Sequence, residues 1–458
     1  MTRSSLAALV GLVVHHAACR LFAWPLLTDR IGEWIMARTP SAWALAMLDY
    51  LGGWAKPFAA TGGLAALGAV MLVAVFVERH YRHSWLALLV AVIAAGEPGD
   101  LSFWLPALAI VAARTPIVTA MERRQFLRTA LMSAGAAAVA GESLLREKHL
   151  REAAAPATDL YSFSPPADRD AFGAGLVRAA STTTDAFYAM SKNTVDPAPD
   201  PNTWRLRITV DGKLVASWSY ADLLSLPRQD RWVTLRCISN TLTSNLIGTA
   251  HWTGIQLKQL ISRNEIPADV KELAVIGVDG HGDSLPLDYA WSDGVLFALG
   301  MNGKSLDRTH GFPVRLLCPR YYGLKNVKWI GELRFVTQPY VGTWPKLGYT
   351  KEPRPHISTA IDKVRMEDGR VRAGGVAYAG DRGIQRVEVR ADGGEWFVAR
   401  LESPLSAYAW TRWVAELPVA SARLIEARAQ DGRGEWQSAV EGPLFPDGVK
   451  GPTVKRLT

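Results

Sequence analysis

The sequence predicts a multidomain protein: an α-helical membrane region, then a β-rich α+β domain, then an Ig-like β-sandwich. Three observations carry this. The 49% hydrophobic content of the 458 residues is concentrated in residues 1–145. Short alternating segments with turn signals fill the middle of the chain. A second series of short strands with Gly-rich turns follows from about residue 350.

The membrane region is residues 1–145, read as about five helices. Residues 5–27 and 57–77 are each long enough to cross a hydrocarbon core of about 30 Å. Residues 85–95 and 101–113 are shorter, and the charged, proline-containing break Gly96-Glu97-Pro98-Gly99-Asp100 makes them a tight hairpin of two spans. The last candidate, residues 129–141, follows Arg123-Arg124-Gln125-Phe126-Leu127. That run resembles a twin-arginine export signal, and it also suits the cytoplasmic flank of a last span. Both readings, with basic clusters inside, place the rest of the chain on the outer side of the cytoplasmic membrane. His15 and His16 point about 100° apart on a helix and do not face one haem together.

The formal charge of +8 is scattered, without a nucleic-acid motif. Cys19, Cys237 and Cys318 form neither a disulfide framework nor a metal-binding spacing. A Cys237–Cys318 disulfide is the bland alternative to a functional thiol.

Residues 146–180 read as a linker, 181–345 as the catalytic domain and 350–445 as the sandwich. In the catalytic domain, strands are expected around residues 203–212, 213–220, 231–239, 272–280 and 327–336, and short helices at Tyr220–Leu226 and Ile255–Arg263. Asp-Gly pairs at 211–212 and 279–280 supply turns. In the sandwich, strands fall near 370–380, 384–394, 396–403 and 423–436. A sandwich there packs on the first domain or on a second copy of the chain, the latter making a homodimer.

Two regions carry chemistry. Cys237 ends the alternating strand RWVTLRC, where a single thiol meets a polar loop, a place for a nucleophile or a soft metal ligand. Residues 301–335 gather Asn302, His310, Arg315, Arg320, Lys325 and Lys328 around Tyr321-Tyr322-Gly323. Arginine and lysine there suit an anionic phosphate, while His310 and Asn302 suit a heterocycle.

The segments TLRCISN (234–240), IGTAHWTGIQLKQLI (247–261) and LFALGMNGKSLDRTHGFPVRLLCPRYYGLKNVKWIGEL (296–333) resemble the molybdopterin domain of the sulfite oxidase family. The stretch from Asp185 to Gly212 resembles that family's first cofactor-contacting loop, and the sandwich resembles its dimerisation domain. The resemblance implies a molybdenum–molybdopterin cofactor without an attached nucleotide. It places Cys237 as the metal ligand. It places Phe187, Tyr188, Asn193, His310, Arg315, Asn326, Val327 and Lys328 in the blocks that hold the pterin, with His251 and Trp252 as further lining. Asn302 joins the cofactor-binding set, and Arg320 and Tyr322 join Cys237 as catalytic candidates. The chain departs from sulfite oxidases after the cysteine, where Thr241, Leu242, Thr243 and Ser244 replace the expected arginines, which counts against sulfite as a good substrate.

The expected activity is oxygen-atom transfer on a small sulfur-containing or related substrate. No haem domain is fused, so electrons pass to an external electron-transfer protein or a quinone-linked membrane partner. The alternative is a non-enzymatic, membrane-anchored binding or assembly protein built on the sandwich; a cysteine hydrolase pairing Cys237 with His251 or His310 ranks below both.

Overall fold

A computed structural model describes residues 158–166, 172–173, 175–193, 196–240 and 245–457. The spans and export signal expected in residues 1–145 lie outside the described residues. Among the described residues no helix is long and apolar enough to cross a membrane.

The catalytic domain is built on two sheets. Its elements are β1 (Arg205–Val210), β2 (Lys213–Ser219), α1 (Tyr220–Ser225), β3 (Gln229–Arg236), β4 (Ile247–Ile255), β5 (Glu272–Gly277), β6 (Gly282–Pro286), α2 (Leu287–Ala290), β7 (Leu296–Met301), β8 (Lys304–Ser305), β9 (Arg315–Leu317), β10 (Ile330–Val336) and α3 (Thr343–Lys346). One sheet has the order β2-β1-β10-β5-β6, and the other runs β3-β4-β7-β8 with β9 paired to β7. Strand β1 lies parallel to β10; its other neighbour, β2, is antiparallel. Between the sheets lies a core that includes Leu206, Ile208, Leu273, Val275, Phe297, Leu299, Leu333 and Phe335.

Helix α1 starts where the sequence places it. Ser219 accepts from the Asp222 amide while the Asp222 carboxylate accepts from the Ser219 amide, a reciprocal cap that satisfies two amide donors at the helix N-terminus. The helix expected at Ile255–Arg263 is not there. Ile255 closes β4, and two short 3₁₀ turns, Leu257–Gln259 and Arg263–Glu265, follow. Leu257, Leu260 and Ile261 are buried, so a tightly turned loop reproduces the apolar spacing of a helix.

The sandwich comprises β11 (Ser358–Glu367), β12 (Arg370–Tyr378), β13 (Ile384–Ala391), β14 (Phe397–Val398), β15 (Arg400–Leu401), β16 (Thr411–Leu417), β17 (Leu424–Asp431) and β18 (Thr453–Arg456). The sheets β11-β12-β16-β15 and β14-β13-β17-β18 enclose Val371, Ala373, Trp413 and Leu417 from one side and Val387, Val389, Ile425 and Ala427 from the other. Strand β18 carries the domain past the expected end at residue 445.

The linker expected at 146–180 is only partly one. Leu160 donates its amide to Gly303 at 2.8 Å, Ser305 donates to Thr158 at 2.8 Å, and Asp159 bridges Lys304. Residues 158–161 therefore cover the exposed side of β8, as an edge strand requires.

Candidate active site

The site follows from strand alternation. Successive side chains point to opposite faces of a sheet. In β3 and β4, Val233, Leu235, Ala250 and Trp252 share one face and build a core with Phe187, Leu296, Ala298 and Leu317. Cys237 continues the series 233, 235. Its amide still donates across the ladder to Leu246 at 2.9 Å, and its carbonyl then accepts from Asn240 at 3.1 Å as the chain turns away. The thiol is therefore held by strand geometry at the point where the strand stops. It is 9% exposed, and both it and the fully buried Cys318 are free thiols, so the disulfide alternative does not hold. Burial pushes its pKa up, against hydrogen bonds from Ser239 and the charge of Arg236.

The loop carrying Phe187 and Tyr188 lies over this face. The two rings stack at 5.4 Å, and Phe187 meets Trp252 edge-on at 5.5 Å and His310 at 5.9 Å. A Cβ on Gly248 would fall 2.8 Å from the Phe187 ring, so the glycine is what lets the loop lie this close. The Tyr188 hydroxyl reaches Gly323, where a Cβ would stand 2.7 Å from it and 3.2 Å from the Arg236 carbonyl. Burial raises the Tyr188 pKa well above the usual phenol range; Cys237 adds to the rise, and Arg315 and Arg236 oppose it.

Arg315, on β9, supplies the charge. Its guanidinium stands 5.1 Å from the Trp252 ring centroid, and Nη1 donates to the His310 carbonyl at 3.1 Å. Its Nε is buried and makes no hydrogen bond. Burial pulls its pKa down to about 10, with Tyr188 and Asp307 pulling the other way. Gly311, at φ +109°, brings a second cation alongside: a Cβ there would sit 3.0 Å from Lys328 Cβ and 3.1 Å from Arg315 Cβ. Lys328 Nζ donates to the Thr309 carbonyl at 2.9 Å. His310 is fixed by Asp307, 2.8 Å from its Nδ1, while its Nε2 stands 3.4 Å from the Phe187 carbonyl. Burial works to raise the Asp307 pKa, but the His310 contacts outweigh it and the net shift is downward.

The structure thus brings together Phe187, Tyr188, Cys237, His310, Arg315 and Lys328, with Tyr322 next to Gly323. Asn326 and Val327 stand behind as supports. Asn326 accepts from the Cys318 amide at 2.8 Å and donates to the Tyr322 carbonyl at 3.0 Å, and the Val327 carbonyl accepts from Leu316 at 2.8 Å.

Several expected roles are corrected. His251 is one residue out of phase with Trp252 and lies on the opposite face, against Trp232 at 4.9 Å and Phe163 at 5.4 Å, with Tyr161 bonded to its Nδ1. It does not line the cofactor face, and it is no partner for Cys237 in a hydrolase. Asn302 has its amide group occupied by the protein: it accepts from His251 N at 3.1 Å and donates to the Thr182 carbonyl at 3.1 Å and Thr184 Oγ1 at 3.2 Å. It staples the first loop rather than binding a heterocycle. Arg320 is tied to Asp381 of the sandwich at 3.1 Å and stacks on Tyr289 at 4.0 Å. Lys325 is buried against Asp283 at 2.6 Å and the Ser284 carbonyl at 2.7 Å. Neither cation is available to replace the missing arginines. Asn193, at the end of the first loop, keeps its expected place and is buried, its amide donating to Ser191 Oγ at 3.1 Å.

Sequence reasoning missed Arg236. Arg236 lies on the face opposite Cys237 and donates to the His356 carbonyl at 3.1 Å and Ser358 Oγ at 2.9 Å, joining the catalytic domain to the sandwich. Its guanidinium stands 5.5 Å from the Tyr322 ring. An arginine inside a hydrophobic strand was the available signal.

A β-rich domain that presents a strand-end thiol and a buried, partly unpaired arginine beneath an aromatic loop is built to hold an anionic cofactor. Comparison with known proteins names the cofactor. The family described as Oxidoreductase molybdopterin binding domain matches residues 193–344, and that described as Mo-co oxidoreductase dimerisation domain matches residues 353–441. The mitochondrial sulfite oxidase of Homo sapiens is 30% identical over 275 residues, covering 49% of this chain and 50% of that one. The sulfite oxidase of Gallus gallus is 28% identical over 340 residues, covering 62% and 72%. This chain spans about half the length of the first of these relatives. The crystal structure of the sulfane dehydrogenase SoxCD from Paracoccus pantotrophus matches in fold with a TM-score of 0.50 at 22% identity, covering 57% of this chain and 75% of that one. Residues 193–344 therefore match a molybdopterin-binding oxidoreductase domain and residues 353–441 a Mo-co dimerisation domain, and the chain is similar across them to sulfite oxidases.

The residues fit that cofactor. The unpartnered Nε of Arg315 and the neighbouring Lys328 offer donors to a phosphate, and the Cys237 thiol offers sulfur to the metal.

Proposed function

We propose that this protein is a membrane-anchored molybdenum oxidoreductase whose catalytic domain works outside the cytoplasmic membrane. It transfers an oxygen atom to or from a small sulfur-containing or related substrate, and exchanges electrons with a separate protein or a quinone-linked membrane partner. The observation that carries the reading is the buried Arg315 with an unpaired Nε, on the same sheet face as Cys237. Leaving a buried donor unsatisfied costs about 1–3 kcal/mol, which a bound phosphate recovers.

The bound molybdenum cofactor supplies the two-electron oxygen exchange. The chain's residues bind and orient it. Arg315 and Lys328 hold its phosphate, Cys237 supplies a thiolate, and Phe187, Trp252 and Leu235 keep water from the buried side. Asp307 fixes the His310 ring so that its second nitrogen keeps one direction. The matching dimerisation domain supports a homodimer. The hydrophobic content of residues 1–145 supports the anchor.

The test is metal analysis of the purified full-length protein, followed by a screen with sulfite, sulfoxides and artificial electron donors and acceptors. Stoichiometric molybdenum with turnover of one class is expected. Protein without molybdenum after expression in a cofactor-producing host would overturn the reading.

A further inference from the structure

Arg236 is a buried cation held by neutral groups. It is 1% exposed, and its guanidinium bonds go to uncharged oxygens. Nη1 donates to the His356 carbonyl at 3.1 Å and to Ser358 Oγ at 2.9 Å, and Nη2 donates to the Asn240 carbonyl at 3.3 Å. Its Nε is buried and makes no hydrogen bond. The Tyr322 ring stands 5.5 Å away. Carboxylates of the sandwich are engaged elsewhere: Asp381 pairs with Arg320 at 3.1 Å, Asp431 with Arg382 at 2.7 Å, and Asp447 stands 3.5 Å from His356. A buried charge of this kind is costly unless an opposite charge comes to it. Joining two domains through carbonyls and a hydroxyl needs donors and no charge, so the bridge alone does not account for an arginine here.

The place of the guanidinium points to its missing partner. The Cys237 carbonyl accepts from the Asn240 amide at 3.1 Å, which closes the turn that carries the thiol. The Asn240 carbonyl, at the far end of that turn, is the one that Nη2 holds. Arg236 therefore leaves the chain one residue before Cys237, crosses to the other face of the sheet and closes on the thiol turn from behind. Its charge also works to lower the thiol pKa against the effect of burial. Arg315, the other buried arginine with an unbonded Nε, stands on the cofactor face and is assigned to the phosphate.

We propose that Arg236 is the counter-charge of the metal-bound thiolate: fixed behind the Cys237 turn by the sandwich, it offsets negative charge at the metal end of the cofactor and makes that centre easier to reduce. The proposal rests on the reading of Cys237 as the metal ligand. Arg236 touches neither cofactor nor substrate and acts through the thiol. An electron added at the centre makes it more negative, and a fixed positive charge nearby favours that form. Removing the charge therefore lowers the midpoint potential.

The test is the midpoint potential of molybdenum in the full-length protein from a cofactor-producing host. It is followed by electron paramagnetic resonance during a mediated titration with dithionite and ferricyanide. Arg236→Gln removes the charge, and Arg236→Lys keeps it. Ser358→Asp leaves Arg236 in place and sets a carboxylate beside Nη1, while Ser358→Asn has the same shape without the charge. Arg236→Gln and Ser358→Asp are expected to shift the one-electron equilibrium about tenfold toward the oxidised form, a fall of about 59 mV. Arg236→Lys, Ser358→Asn and the exposed control Lys213→Gln keep the parent potential. Equal shifts in Ser358→Asp and Ser358→Asn, or in Arg236→Gln and Arg236→Lys, would mean that seating and not charge is at work, and would overturn the proposal. If Arg236→Gln does not fold, the Ser358 pair decides alone. A parent without molybdenum overturns the catalytic reading and the counter-charge with it. Molybdenum present with an unmoved potential overturns the counter-charge alone.

Discussion

Replacing Arg315 with methionine separates the cost of the site from its purpose. The variant keeps the aliphatic stem against Trp252 and removes the charge. Burial lowers the Arg315 pKa from 12.5 to about 10, an order-of-magnitude penalty of about 3 kcal/mol on the charged form. The sign is that of a base with a depressed folded pKa: the penalty is fully present below about pH 10 and is relieved as pH rises toward the unfolded value. Against this, the substitution loses the bond to the His310 carbonyl, worth about 1.5–3 kcal/mol for a charged donor. In cofactor-free protein the balance is an unchanged or higher stability, by up to about 2 kcal/mol, a rise of a few degrees in Tm for a domain of this size. In protein expressed with the cofactor, molybdenum occupancy falls instead. The assay is thermal unfolding of both cofactor-free proteins at pH 7, paired with metal analysis of both loaded ones. A clear drop in the Tm of the cofactor-free variant would mean that Arg315 is a structural group satisfied by the protein alone. Unchanged molybdenum would mean that it does not hold the cofactor.

Cys237→Ser is expected to abolish turnover while circular dichroism and most pterin content stay as in the parent, since the side chain changes by one atom at a strand end; normal activity would remove Cys237 as the metal ligand. A reporter fused after Ser143 is expected to be active only outside the cytoplasm, and cytoplasmic activity there would overturn the five-span topology. Sulfite oxidation is expected to be weak, with a high KM, because Arg320 and Lys325 are held by Asp381 and Asp283. Steady-state kinetics across ionic strength check this, and tight, salt-sensitive turnover would refute it.

What the sequence revealed depended on how each segment is buried. Strands β1, β3, β10, β13 and β17 alternate or end in turn residues, and each was legible. Strand β7 was not: all six residues of LFALGM are buried, so no alternation exists to be read. The turns after β4 failed in the opposite sense, because loop residues turned inward mimic a helical stripe. The match of the strap at 158–161 to the edge of β8 depends on backbone hydrogen bonds, which leave little mark on side-chain pattern.

The site was legible as a set of blocks and less so residue by residue, for one geometric reason. A shift of a single position in a strand reverses the face, so Trp252 and His251, adjacent in one block, separate into cofactor face and outer face. Arg236 and Cys237 separate in the same way, and with a consequence for function. The thiol turns toward Phe187 and Arg315, while the arginine before it crosses to the sandwich and binds the His356 carbonyl and Ser358. The peptide that presents the thiol is thereby anchored from both sides. Displacement of the sandwich would pull on the same peptide, so the position of Cys237 depends on the seating of the sandwich domain.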